Sequence, residues 1–340
     1  MSVVAILGTG LIGTSIGLGL RNSSDVVDLE VVGYDRERLN ARHAKKVGAL
    51  DREEGALANA VRDAHLVILA APILANHRLI EEIAPYLKPG AVVTDTGSTK
   101  TATIRHAREH LPKHVSFVGG HPMAGKTEVG PQHADPKLFE GSRWVVTAPV
   151  DATQGAIQTV FSLATVLGAT PMIMDPEEHD AYIAAISHLP MVVAQTLFGM
   201  TRRSEAWPEL SVLAAGGFKS TTRLAATDPS MAFDILATNR DQTVHWLDRF
   251  IEELQEARDR LSDNDREELF AEIAQAELDY SAYLLGAVGR KEESQIDQDS
   301  FDFSALLIGQ AARDKIQELS QASEERLREQ ELARRLKRDI

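Results

Sequence analysis

The opening of the chain constrains the fold more than any other stretch. Val3-Val4-Ala5-Ile6-Leu7 is a short apolar run of strand type, and Gly8-Thr9-Gly10-Leu11-Ile12-Gly13 follows it at once, leading into the helical run Thr14–Leu20. Strand, tight turn and helix in that order give the glycines a mechanical meaning. Gly8 makes the turn, Gly10 lets a pyrophosphate approach the backbone, and Gly13 lets helix and strand pack closely. An anion would sit on the helix N-terminus, which begins at Leu11 and Ile12, where unpaired N–H groups and the dipole favour it. A second strand, Leu29–Tyr34, ends in Asp35, at the distance expected for an acid that binds an adenosine ribose. A carboxylate there accepts from a free 2′-hydroxyl and repels a 2′-phosphate, so NAD is the expected cofactor, with Arg36 next door the residue that softens the choice against NADP.

The chain has 340 residues, 44% hydrophobic and 25% charged, with a formal net charge of −14. That length suits two domains with separate cores. The acidity and the lack of a basic stripe argue against a nucleic-acid partner, and an anionic small-molecule substrate needs a local cluster of Lys and Arg against an unfavourable overall field. There are no cysteines, which excludes disulfides, thiolate metal sites and a Cys nucleophile. The N-terminus enters the first strand directly, so neither a signal nor a transit peptide is expected, and a cytoplasmic enzyme fits. Ala181–Met200 is apolar and about the length of a bilayer crossing, yet it holds His188, Pro190 and Gln195 and follows a charged segment. It reads as a buried helix in a helical core or a subunit interface, kinked at Pro190, and no membrane partner is expected.

Strand-like and helical runs alternate through the first half, the pattern of a parallel sheet covered on both faces. Further strands are expected at Leu66–Ala70, Ala91–Asp95 and Val115–Val118, with helices near Arg38–Val47, Asn76–Leu87 and Lys100–His110. Trp144–Thr147 and Pro171–Met174 look like edge strands around a helix at Ala156–Leu167. From Asp175 the strand signals stop. The expected domains are residues 1–174, an α/β Rossmann-type unit; 175–285, an all-α unit; and 286–340, a charged linker and helical tail.

Ligands of open α/β sheets collect outside the carboxyl ends of the strands. Those ends offer Ala71-Pro72, then Asp95-Thr96-Gly97-Ser98-Thr99-Lys100, then a histidine among glycines, Gly119-Gly120-His121-Pro122-Met123-Ala124-Gly125. Glycines flanking His121 would let a ligand approach closely, and imidazole is the side chain best suited to take a proton near neutral pH. The plainer reading of His121 is a core histidine beside a tight turn. Ser98 reads equally as a helix N-cap, and the two roles are compatible. In the second half His188 lies on the apolar helix, where a structural role is the commoner one. Gly216–Arg223 gathers Lys219, Thr222 and Arg223 after paired glycines; Arg223 suits bidentate capture of a carboxylate, against the alternative of a solvated helix start. His106 and His110 lie one helical turn apart, but without HExxH order or a nearby third ligand in the sequence, so no metal is expected.

Taken in order, GTGLIGTSIG, VVGYD, DTGSTK, GGHPMAG, SHLP and GGFKSTTRLA resemble the prephenate dehydrogenase family, which includes arogenate and cyclohexadienyl dehydrogenases, over about residues 3–285. The resemblance implies an N-terminal Rossmann-type domain, a C-terminal helical dimerisation domain and a homodimer. It implies NAD-dependent oxidative decarboxylation of prephenate to 4-hydroxyphenylpyruvate in tyrosine biosynthesis; in some members arogenate replaces prephenate and tyrosine forms directly. By the same resemblance His121 is the catalytic histidine that accepts from the ring hydroxyl, and Ser98 positions that hydroxyl. His188 lines the substrate pocket and Arg223 binds a substrate carboxylate. Two positions depart from the family pattern. Met191 stands where some members have a second histidine, and Glu128 is one position later than the usual acid.

Two rivals stay open at this point. Another Rossmann hydroxy-acid dehydrogenase would place a catalytic lysine on a helix of the second domain, where this chain has His188 and Arg223. A non-catalytic NAD-sensing protein would keep the glycine loop and Asp35 without needing Ser98, His121, His188 and Arg223 together.

Overall fold

Strands β1 (Ser2–Leu7), β2 (Leu29–Tyr34), β3 (Arg52–Glu53), β4 (Leu66–Leu69), β5 (Val92–Asp95) and β6 (Ser116–Phe117) form a parallel sheet in the order β3-β2-β1-β4-β5-β6. The computed structural model describes residues 2–126, 128–263 and 266–286, so the expected tail lies, beyond Gly286, outside the described residues. Strands covered on both faces read as continuous apolar runs, and β1 and β4 are buried throughout. The strand period of two splits β1 between two cores. Val4 and Ile6 pack with Ile16, Phe139 and Trp144 on one face, while Val3, Ala5 and Leu7 pack with Ile80, Ile83 and Ile104 on the other. Strand order reverses between β1 and β4, which opens a crevice at their carboxyl ends. The two-residue β3 was not among the expected strands; it is too short to show a periodicity.

The expectation for the histidine segment needs correction. The chain does not leave extended conformation after Val118. Its amide still bonds to the Val93 carbonyl at 3.0 Å, and the next residues form β7 (Gly119–Pro122). This strand changes sheets: it pairs antiparallel with β8 (Arg143–Thr147), which pairs parallel with β9 (Thr170–Ile173) around the helix Gln154–Val166. The segments expected as edge strands of the main sheet thus build a separate three-stranded sheet, with β8 at its centre. His121 lies within β7, opposite Val145, and not in a loop.

After β9 the described residues are helical. Helix Pro176–Ile183 runs through a π-turn, Ala184–His188, into helix Leu189–Arg202. The disturbance expected at Pro190 takes the form of this wider turn, which makes room for a ring that would otherwise crowd a carbonyl one turn back. Pro176–Arg202 is long and apolar enough to cross a membrane by length and composition, but only 28% of its apolar stretch is fully buried in a single chain. One face of the segment, with Ile183, Ala184, His188, Met191 and Ala194, is buried in the core of a single chain, and the other is left open to a partner. Helix Pro229–Thr238 returns to the sheet domain: Leu74 N–H donates to Asp234 at 3.0 Å, and Ile73 packs with Met191, Ala232 and Ile235, while helix Arg240–Asp263 packs on the helical part.

Candidate active site

Each glycine of the first loop meets a different physical demand. Gly8 has φ +96°, and a Cβ there would lie 2.7 Å from the Ala70 backbone. A Cβ on Gly13 would lie 2.0 Å from the Gly8 carbonyl oxygen, whereas one on Gly10 would meet nothing within 4 Å. The helix Leu11–Asn22 starts at Gly10 without a side-chain cap, which leaves its first N–H groups for a ligand to satisfy. Leu11 is buried and Ile12 packs on the core, so these two offer backbone and not side chain to a ligand. Asp35 does more than expected: its carboxylate accepts from Thr9 N–H at 2.7 Å and Thr9 Oγ1 at 3.1 Å, and from Glu37 N–H at 2.8 Å. It shapes the loop and remains half-exposed at its rim. Across the crevice Ala71 N–H donates to the buried Asn76 at 3.2 Å, and Pro72 precedes the helix Ile73–Ile83. An open glycine, an uncapped helix start and a rim carboxylate fit a dinucleotide.

The glycines before His121 serve packing, not ligand approach. A Cβ on Gly119 would lie 2.4 Å from Thr147 Oγ1, and one on Gly120 would lie 2.7 Å from the Asp95 carbonyl oxygen. β7 is thereby pressed against the end of β5. Beneath it Lys100, wholly buried, donates from Nζ to the Asp95 carboxylate and to the Gly120 carbonyl at 2.7 Å. Asp95 also accepts from Gly97 N–H at 2.9 Å and Gly120 N–H at 3.2 Å. Burial lowers the Lys100 pKa, with Asp95 opposing.

His121 is half-buried, and its Nδ1 lies 2.9 Å from Nε2 of the fully buried His179. His179 Nδ1 in turn lies 2.8 Å from the Asp180 carboxylate. Asp180 also accepts from the amides of Lys100 and Thr101, each at 2.8 Å. Burial alone would raise the Asp180 pKa, yet these bonds, with His179 first, hold it below the usual range. Desolvation, and then the charges of His179, Lys100 and His188, push His121 well below the ordinary imidazole range. The expected cap is also corrected: Asp180, and not Ser98, caps the helix Thr101–His110. Ser98 is half-buried and makes no side-chain hydrogen bond among the described residues.

His188 is wholly buried on the π-turn. Asn239 Nδ2 donates to the Asp180 carbonyl at 2.7 Å and lies 3.2 Å from His188 Nδ1. Nδ1 is therefore the acceptor and the proton sits on Nε2, which is buried without a partner among the described residues. Burial brings this histidine down to about 4, with Asp180 opposing. Met191 is buried against Ile73 and Ile235, which explains an apolar side chain at that position. Arg223 and Lys219 are exposed on the segment Gly216–Ala226. Thr222 is buried and donates to the Phe218 carbonyl at 2.7 Å, so its proton serves its own helix.

The half-buried His121 and the buried His188, Lys100, His179, Asp180 and Asn239 thus form one connected group, and the last four were not picked out as site residues in the sequence. A signal for His179 was present. Positions 179, 183, 184, 188 and 191 are all buried at helical spacing, which marks them as one inward face. The third side chain thought missing near His106 and His110 exists. Glu81 lies 3.1 Å from His106 Nε2 and 3.9 Å from His110 Nε2, but His106 Nε2 also reaches the His77 carbonyl at 3.1 Å. An Nε2–H that donates to the His77 carbonyl satisfies that nitrogen.

Comparison with known proteins covers both parts of the chain. Residues 16–172 match the nucleotide-binding domain of prephenate dehydrogenase, and residues 175–275 match its dimerization domain. The prephenate dehydrogenase of Bacillus subtilis (strain 168) is 34% identical over 269 residues, covering 78% of this chain and 72% of that protein. The crystal structure of prephenate dehydrogenase from A. aeolicus in complex with hydroxyphenyl propionate and NAD+ is similar with a TM-score of 0.77 and 27% identity, over 83% of this chain and 98% of that one. Synechocystis arogenate dehydrogenase is similar with a TM-score of 0.72 and 26% identity, over 83% and 99%.

Proposed function

The chain belongs to the prephenate dehydrogenase family, and from that membership we propose that it catalyses the NAD-dependent oxidative decarboxylation of prephenate to 4-hydroxyphenylpyruvate in tyrosine biosynthesis. The observation that carries this reading is that family similarity runs through both parts of the chain, over residues 16–172 and 175–275, the segments that carry Asp35, His121 and His188. The glycine loop, Asp35, Ala71 and Pro72 hold NAD, which supplies the hydride acceptor when bound.

The residues of this chain then have a proton and a charge to manage. His121, kept neutral by its surroundings, takes the proton of the ring hydroxyl as electron density builds on the carbon that gives up hydride. Ser98, with a hydroxyl not engaged elsewhere, orients that oxygen. Loss of the ring carboxylate as carbon dioxide makes the ring aromatic, and the proton held by His121 returns to the phenolic oxygen. The Nε2–H of His188 offers a buried donor to a substrate oxygen. Arg223, with Lys219 nearby, meets a substrate carboxylate in a chain whose net charge is −14.

A second copy of the chain is the expected partner. The helical part leaves Ile186, Met200, Val212 and Leu213 exposed, an apolar surface that pairing would cover. A reducing, cytoplasmic setting suits a chain without cysteine. Absorbance at the reduced-nicotinamide band, followed with prephenate and with arogenate and with NAD and NADP, tests the proposal. Turnover with prephenate and NAD is the expected result; no reduction with either cyclohexadienyl substrate would remove it.

A further inference from the structure

We propose that His179, backed by Asp180, is a positioning residue that sets the tautomer of His121 and so decides which of its nitrogens acts as base. The inference rests on the reading of His121 as the proton acceptor and assigns a role to two residues outside the binding loops.

The argument follows the protons. Asp180 is already an acceptor for two backbone amides at the start of the helix Thr101–His110. A carboxylate has no proton of its own to give, so His179 Nδ1, 2.8 Å away, must be the donor. A neutral His179 then has a bare Nε2. His121 Nδ1 stands 2.9 Å from that atom, and a hydrogen bond at this distance needs one proton between them, which His121 Nδ1 supplies. The second nitrogen of a neutral His121 is consequently unprotonated and free to accept from a substrate hydroxyl. Which imidazole nitrogen carries the proton is set by the bond the other one makes.

The groups facing this chain agree with that order. Lys100 lies close by, but its ammonium is taken up by Asp95 and the Gly120 carbonyl. His188 directs its Nδ1 toward Asn239. Asp180 is thus the carboxylate left to orient His179, and it is held from both sides of the domain junction: it lies on the helix Pro176–Ile183 and caps a helix of the sheet domain. The loop bearing Ser98 runs into that same capped helix, so one carboxylate holds the approach to Ser98 and, through His179, the ring of His121.

The test reads the tautomer directly and needs no substrate. Nitrogen NMR of 15N-histidine-labelled protein, with the His121 signals assigned by loss in His121→Asn, reports which ring nitrogen is protonated. The expected result is a protonated Nδ1 and a bare Nε2 at neutral pH in the native chain, with that preference lost in His179→Leu. In His179→Leu, turnover falls on the order of 10²-fold while NAD affinity is unchanged, and the acid limb of the rate profile is displaced from its native position because His121 has lost the neighbour that its Nδ1 meets. His179→Gln, whose side-chain carbonyl can accept from His121 Nδ1–H, recovers most of the loss. A proton on His121 Nε2 in the native chain, or a folded His179→Leu with native turnover and native pH profile, overturns the proposal. Failure of NAD reduction with prephenate leaves the tautomer readout intact, so the two readings fail separately.

Discussion

Lys100 and Asp95 form a wholly buried ion pair beneath the strand that carries His121. The pair joins the end of β5 to β7, since the same ammonium also bonds the Gly120 carbonyl. Removing one partner of a buried pair leaves a charge without compensation, which costs about 3–5 kcal/mol. Lys100→Met is expected to lower the unfolding free energy by that amount in urea titration. A loss under about 1 kcal/mol would mean that the backbone amides alone satisfy Asp95.

The loop glycines should separate folding from binding. Gly13→Ala places a carbon 2.0 Å from the Gly8 carbonyl oxygen and should prevent native packing. Gly10→Ala has open space around it and a φ of −72° that any residue adopts, so its stability should stay within about 1 kcal/mol of native. Its NAD affinity should fall roughly tenfold or more, about 1.4 kcal/mol. Fluorescence titration with NAD and thermal melts check both, and a Gly10→Ala chain that binds NAD normally would move the pyrophosphate away from this loop.

Because His121 is held well below 6.5 by burial and neighbouring charge, the base is already neutral at mildly acid pH. The acid limb of kcat/KM should therefore lie below the ordinary imidazole range, with a flat profile through neutrality. His121→Asn should lose about 10²–10⁴ in turnover and still bind NAD. An acid limb at or above 6.5 would show that another group governs it.

His188 makes a stability prediction. Its folded value of about 4 lies below the 6.5 of an unfolded imidazole, so between those values the unfolded chain binds more protons. Stability is then full above 6.5 and falls as the solution is acidified, by roughly 3 kcal/mol in total at 1.36 kcal/mol per unit. His121 acts in the same sense. Urea midpoints at pH 7 and pH 5 should differ less in His188→Gln than in the native chain; equal differences would place His188 outside this balance.

Much of the fold was legible because burial imposes short-range patterns. β1 and β4 are largely apolar runs because both faces of the sheet are covered, and Gly8, Gly10 and Gly13 sit at fixed offsets because one turn demands all three. The antiparallel pairing of β7 with β8 was not legible. His121 follows an apolar run that looks like a strand ending, and nothing local says that the chain stays extended and joins another sheet.

The residues themselves determined an alternating α/β half built around a glycine turn, a helical half, and a histidine flanked by glycines, since each follows from neighbours a few positions apart. Only the tertiary structure decided what surrounds that histidine. Asp180 meets the amides of Lys100 and Thr101 from the far side of the domain junction, and His179 reaches His121 across 58 positions. Contacts of that kind come from how elements pack, and proton placement depends on distances of about 3 Å that no local pattern records.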